Sequence, residues 1–233
     1  MLRRTRALYK RMRQIVLLIL ITCFVVVTAP TVRADTTLTS TDFAVVYQDI
    51  DLVRHASKQG IDEQVFKALS DPKVPKDVRA AIVNALGWSF TGQQNAKAYL
   101  GYIASNDRKK PSELMIADLT PEETFGLGYL LAMDNYSTEK AVGAIGGIGE
   151  VEQADALTLL DAAFDKLPND FSVALIRSLA QARKAQIAFD WCGVYKIVTG
   201  VIIGFSGERN MRSQAVEIVM DYIAPHQDYC RGT

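Results

Sequence analysis

Over residues 187–205 the side chains of Ile187, Trp191, Val194, Tyr195, Val198, Val201, Ile202 and Phe205 recur at helical spacing, forming one apolar stripe. The other positions carry Phe189, Ile197 and Ile203 beside only Asp190 and Lys196. A helix with so little charge on either face has to be covered on more than one side, so the sequence predicts a core helix with the others packed onto it. Bilayer insertion is the competing use of such a stretch. Asp190 and Lys196 would each cost about 2.5 to 3.5 kcal/mol near its centre, which favours burial in protein. Gly193, Gly200 and Gly204 share one strip of this helix and predict close approach by a neighbouring helix or loop.

The start of the chain has a different character. Arg3, Arg4, Arg6, Lys10, Arg11 and Arg13 precede a 13-residue apolar run over 15–27, and Val32, Arg33 and Ala34 follow before a polar stretch. This order predicts a secretory signal peptide over residues 1–34, cleaved before Asp35. The run is short of the roughly 20 residues that span a bilayer, and an uncleaved anchor is the alternative. Thr5 and Arg6 do not continue a twin-arginine pattern after Arg3 and Arg4, so general secretion is expected, with Cys23 discarded. The expected location is periplasmic or secreted, with membrane contact only through the signal segment during export. Cleavage removes seven of the 26 basic residues and no acidic one, leaving 19 against 26 and a net charge of −7. That sign opposes phosphate, so nucleic acid is not an expected partner. The remaining 199 residues are enough for one core.

Two cysteines remain, Cys192 and Cys230, and in an oxidising compartment they are expected to pair. The chain-entropy model credits such a bridge with about 4 kcal/mol, and its role would be to clamp the tail 224–230. A reactive thiol at Cys192 is the alternative.

Taken in order, the sequence predicts a linker over 35–40 and then a single all-α domain over 41–233. Helices are expected at 41–58, 62–69, from Pro75 to about Trp88, 93–104, 121–133, 139–148, 152–167, 171–183, 187–205 and 209–223, with a short one at 112–117. Thr120, Pro121, Glu122 and Glu123 form a capping box in which Thr120 and Glu123 satisfy each other's backbone amides. No strand is expected. The segment 75–103 can be laid on 121–148 at a shift of about 45 residues, and Pro168 opens a third helical pair, a period that belongs to stacked helical hairpins.

In the first copy Asp71 and Pro72, followed by Asp77, Val78, Arg79, Ala81, Ala85, Leu86 and Gly87, resemble the HEAT repeat. The resemblance covers one repeat; Thr124 and Phe125 replace the valine and arginine in the second. It implies a short α-solenoid of stacked antiparallel hairpins, in which the aspartate and arginine order neighbouring repeats and second helices line a partner-binding face. It further implies a partner surface of Gln93, Gln94, Lys97, Glu139 and Lys140. Trp88, Tyr99 and Tyr102 would add an aromatic patch, or serve as core.

Candidate chemistry is sparse. His55 and His226 stand far apart without metal-ligand spacing, so no metal or cofactor is expected. Ser206 lacks the upstream half of a nucleophile elbow and reads as a turn. The glycines at 143–149 could expose amides to an anion, but no strand precedes them and no lysine follows, so helix packing is the expectation. Asp161 and Asp165 share a helix face and are the carboxylate pair for a hydrolase or lyase in an inter-helix cleft. The leading expectation is a non-catalytic exported protein that binds a protein partner. An envelope scaffold is a further alternative.

Overall fold

The computed structural model describes residues 36–89, 92–134 and 144–231. Among these there are ten α-helices and no strand: α1 Asp51–Gln59, α2 Glu63–Ser70, α3 Lys76–Ala85, α4 Asn95–Asn106, α5 Pro121–Asp134, α6 Glu150–Gln153, α7 Ala156–Lys166, α8 Phe171–Ile187, α9 Trp191–Gly204 and α10 Ser213–Ile223. Short 3-10 helices occupy Phe43–Tyr47, Pro111–Glu113 and Ala224–Cys230. Aspartates start four of the helices. Asp62, Asp155, Asp170 and Asp190 accept bonds from the amides of Val65, Thr158, Val173 and Gly193. The capping box at α5 forms as expected, with Glu123 N donating to Thr120 Oγ1 at 3.2 Å and Thr120 N to Glu123 Oε2 at 3.0 Å.

The centre of the core is α5, where 12 of 14 residues are buried. Helices α2, α3, α4, α7 and α8 all pack against it. Of its two glycines Gly128 makes the tighter approach, since a Cβ there would lie 3.0 Å from Leu159 Cβ and 3.1 Å from the Leu160 amide nitrogen. The central role assigned to 187–205 is therefore a correction. Ile187 ends α8, Phe189 turns the chain at φ 56°, and Asp190 caps a new helix that folds back on α8. Helix α9 has an outer face, with Phe189 before it 80% exposed and Ile203 74%. The close approach at its glycines is also corrected: Gly200 and Gly204 have nothing within 4 Å, and Gly193 meets only its own cap, Asp190.

Other boundaries differ for local reasons. The expected helix 41–58 is two elements, broken at Ile50, whose backbone is extended; around the break Arg212 donates to Val46 O at 2.7 Å and Arg54 to Gln48 O at 2.7 Å, while Asn84 ties down the start of the first element through Ala44 N and Thr41 O. The helix 152–167 is interrupted at Ala154 and Asp155, whose backbone is extended where Asp155 caps α7. Of the helix expected at 139–148, residues 139–143 lie outside the described residues and 144–148 are not helical; Gly146 and Gly147 take left-handed conformations, with φ 90° and 151°. The stretch read as a linker packs instead: Thr36, Thr37 and Leu38 are buried, and Thr37 Oγ1 donates to Leu179 O at 2.8 Å.

The arrangement also brings early and late parts of the described residues together. Arg212, just before α10, donates to both carboxylate oxygens of Asp49 at 2.6 and 2.9 Å and to Val46 O at 2.7 Å, and its guanidinium lies 4.5 Å from the Tyr47 ring centroid. Repeats that touch only their neighbours do not make such a contact. Helices α3 and α4, read as a hairpin, each pack on α5 rather than along one another. Arg79 is fully buried and donates to Leu69 O at 2.9 Å and Asp71 O at 2.6 Å, so it secures the turn between α2 and α3. The disulfide is present: Cys192 and Cys230 are bridged, Cα atoms 4.9 Å apart, tying the last 3-10 helix to α9. Among the described residues no helix is long and apolar enough to cross a membrane.

Candidate functional site

Helix α4 begins without a cap of its own, because Gln94 makes no side-chain cap bond. The last residue of α5 fills the role. Asp134 Oδ2 accepts from Ala96 N at 2.7 Å, and its backbone carbonyl accepts from Gln93 N at 3.3 Å. A carboxylate is unfavourable at the C-terminal end of its own helix and favourable at the N-terminal end of another, so the macrodipole of α4 holds Asp134 in place. The residue is buried, only 5% exposed, and Oδ1 has no hydrogen-bond partner. Burial pushes the carboxyl up to about 6, while the amides of Ala96 and Asn95 pull it down.

Beside it lies a cavity of about 210 Å³ lined by Gln93, Gln94, Lys97, Leu131, Asp134 and Ile145, among others. Gln93 Oε1 accepts from Asn95 Nδ2 at 3.0 Å, while Gln94 and Lys97 are exposed and their side chains carry no hydrogen bond or ion pair. The structure thus gathers Gln93, Gln94 and Lys97 on one polar cavity. Tyr102 is elsewhere on α4, stacked on Phe66 at 5.2 Å between ring centroids. Tyr99 is core and donates to or accepts from Ser70 at 2.9 Å, and Trp88 lines a separate cavity. Glu139 and Lys140 lie outside the described residues. Asp134 lies one residue past the helix expected at 121–133 and is not among the site residues the sequence singles out. The signal that could have found it is an acidic residue closing an apolar helix, at the wrong end for its own dipole.

Compared with protein-family models, curated proteins and solved structures, the chain matches none.

Most of the remaining candidates are engaged in holding the fold. Asp161 accepts from Arg177 Nε at 2.5 Å, and Arg177 also sits 5.0 Å from the Phe164 ring centroid, while Asp165 is exposed. The glycine segment places its amides as an anion-binding turn would, but Glu152 Oε2 occupies it, accepting from Ile148 N at 3.1 Å and Gly149 N at 3.0 Å. Gly149 also serves close packing: a Cβ there would meet the Ser112 backbone at 2.6 Å. His55 pairs with Asp62 at 2.7 Å, and His226 stacks on Trp191 at 4.9 Å. Ser206 is exposed. Among the described residues no three His, Cys, Asp or Glu side chains are grouped to hold a metal.

Proposed function

We propose that this chain is an exported, non-catalytic helical protein that binds a protein partner through the polar cavity at the end of α5. The observation that carries the reading is Asp134, a buried carboxylate with one unpaired oxygen, beside the uncommitted side chains of Gln94 and Lys97. Leaving a buried acceptor unpaired costs about 1 to 3 kcal/mol, and a chain retains such a group most readily where something else satisfies it. A partner that presents an N–H or O–H donor to Asp134 and a carbonyl or carboxylate to Lys97 fits this chemistry. The basic and apolar N-terminal pattern and the Cys192–Cys230 bridge support export.

The test is affinity capture of the tagged full chain, expressed with its own leader and cross-linked in living cells. A partner recovered with the natural chain and lost with Asp134→Asn combined with Lys97→Glu supports the reading. Recovery that is indifferent to those substitutions, or no specific partner, overturns it.

One observation favours a second reading. A carboxyl group held at about 6 in a cavity is poised for proton transfer, and a hydrolase or lyase would use Asp134 in place of Asp161 and Asp165. The described lining offers no hydroxyl, thiol, imidazole or second carboxyl group, and its one other titratable side chain, Lys97, is exposed, which ranks this reading below binding. Its mark would be an activity whose pH profile turns near 6 and disappears in Asp134→Asn.

A further inference from the structure

Helix α9 keeps one face that the rest of the described chain leaves uncovered. At about 100° per residue, Lys196, Ile197, Ile203 and Gly204 all fall within about 60° of Gly200. Lys196, Gly200, Ile203 and Gly204 are exposed, and Ile197 is half-buried. Gly200 and Gly204 have nothing within 4 Å, so neither serves packing inside the chain. Glycine weakens a helix relative to alanine, and what it offers in exchange is close approach by another backbone. A single exposed isoleucine is ordinary, but Ile197 and Ile203 stand three residues to either side of Gly200, on opposite flanks of the face. The helix contains no acidic residue, and its one charge, Lys196, makes no side-chain hydrogen bond or ion pair. No basic residue in the last turn offsets the negative end of the helix dipole.

We propose that this face pairs with the same face of a second copy of the chain, in an antiparallel two-fold contact centred on Gly200. A two-fold axis through Gly200, perpendicular to the helix, sets each residue opposite the one equally far on the other side of Gly200, on the same flank. Ile203 then meets the partner's Ile197, and Lys196 meets the partner's Gly204, each contact being made twice. The missing side chain at Gly204 leaves room for the lysine stem, whose ammonium reaches the last-turn carbonyls, where a cation is favourable. Gly200 at the crossing lets the backbones come closer than the about 8 to 10 Å usual between helix axes. The one face thus supplies both the cation and the negative helix end that receives it, which is what selects a second copy. An anionic lipid surface would instead be repelled by the acidic balance of residues 35–233. A helix of this length gives a contact at or below the lower edge of specific interfaces, about 1,200 Å², so the dimer is weak and depends on concentration. The face shares no residue with the Asp134 cavity, so it stands or falls independently of that reading.

The experiment follows the exported, disulfide-bonded protein by sedimentation equilibrium from about 5 to 500 μM, where a monomer–dimer equilibrium is expected with a dissociation constant on the order of 100 μM. Gly200→Leu fills the crossing and Ile203→Glu sets a carboxylate against an isoleucine, and each should weaken the dimer about tenfold or more. Gly200→Ala should weaken association while raising the melting temperature of dilute protein, so that the loss cannot come from a damaged fold. The register is read from a mixture. Ile203→Glu and Ile197→Lys should each self-associate poorly, yet the two folded variants together should pair at least about fivefold more tightly than either alone, because the new charges face each other only in the mixed dimer. A chain still monomeric at the highest concentration, a dimer indifferent to Gly200→Leu and Ile203→Glu, or a mixture no tighter than its components overturns the proposal. Binding of a monomeric chain to phosphatidylcholine vesicles, lost with Ile203→Glu, also overturns it and gives the face to lipid.

Discussion

Helices α5 and α9 are both 14 residues long, and α9 is the more apolar, with Lys196 its one charge against Glu122, Glu123 and Asp134 in α5. Yet α5 buries 12 residues and α9 only Cys192, Val194, Val198, Thr199 and Ile202. Hydrophobicity sets how much a helix gains from burial, whereas the number of elements that reach it sets how much burial it gets. Glycine shows the same contrast. Gly128 in α5 lets α7 approach to contact distance, while Gly200 and Gly204 in α9 face open space.

The largest test of this contrast removes one apolar side chain from each region. Phe125 is fully buried in α5, and Phe125→Ala is expected to cost about 3 to 5 kcal/mol, against about 0.5 or less for Ile203→Ala on the outer face of α9. Denaturant midpoints at constant slope measure both, and comparable losses would break the comparison. Reducing the Cys192–Cys230 bridge comes next. It is expected to cost up to about 4 kcal/mol and to act on α9 and the tail 224–230. Hydrogen exchange should rise there first, while α5 amides exchange only on global unfolding.

Asp134, where α5 ends, gives an effect of up to about 3 kcal/mol. Its folded pKa of about 6 lies above the ordinary value of 3.8, so the native state holds the proton more tightly than the unfolded chain. Stability from this group is complete below about pH 4, falls as pH rises through 6, and stays lost above it. Asp134→Asn should flatten that slope and raise the melting temperature at pH 7.5; an unchanged slope would remove the buried charge from the account. Glu122 has the opposite sign. Burial pushes it up, but Lys76 at 2.9 Å, its own backbone amide and Arg79 outweigh that and lower it, so its contribution is complete above the ordinary value of 4.5 and is lost as pH falls from there through the lowered one.

The smallest effect uses the glycines. Gly200→Ala should stabilise by up to about 1 kcal/mol through helix propensity alone, whereas Gly128→Ala should destabilise by about 1 kcal/mol because the Leu160 backbone cannot yield. Effects of the same sign at both positions would show that the glycines of the two helices are equivalent.

Much of the fold was legible because its signals are local. The capping box at Thr120 and Glu123 acts across three residues, and helical periodicity within a few turns placed most helices within a few positions. The misreadings share a cause of longer range. At the break in 41–58 the carbonyl of Val46 is taken by Arg212 from 166 residues away, and Thr37 becomes core through Leu179. In the candidate site Gln93, Gln94 and Lys97 could be placed together because they share one helix start, but Asp134 reaches that start from a residue 38 positions away from Ala96.

The sequence by itself determined an all-α chain, the places where most helices begin and end, and which two cysteines pair. Those properties follow from backbone capping, from side-chain periodicity and from there being two cysteines in the described chain. Only the tertiary structure decided that α5 and not α9 is the centre, that Asp49 meets Arg212, and that Asp134 carries its charge beside a cavity. Burial, desolvation and ion pairing depend on which surfaces meet, and those surfaces come from parts of the chain that no local pattern connects.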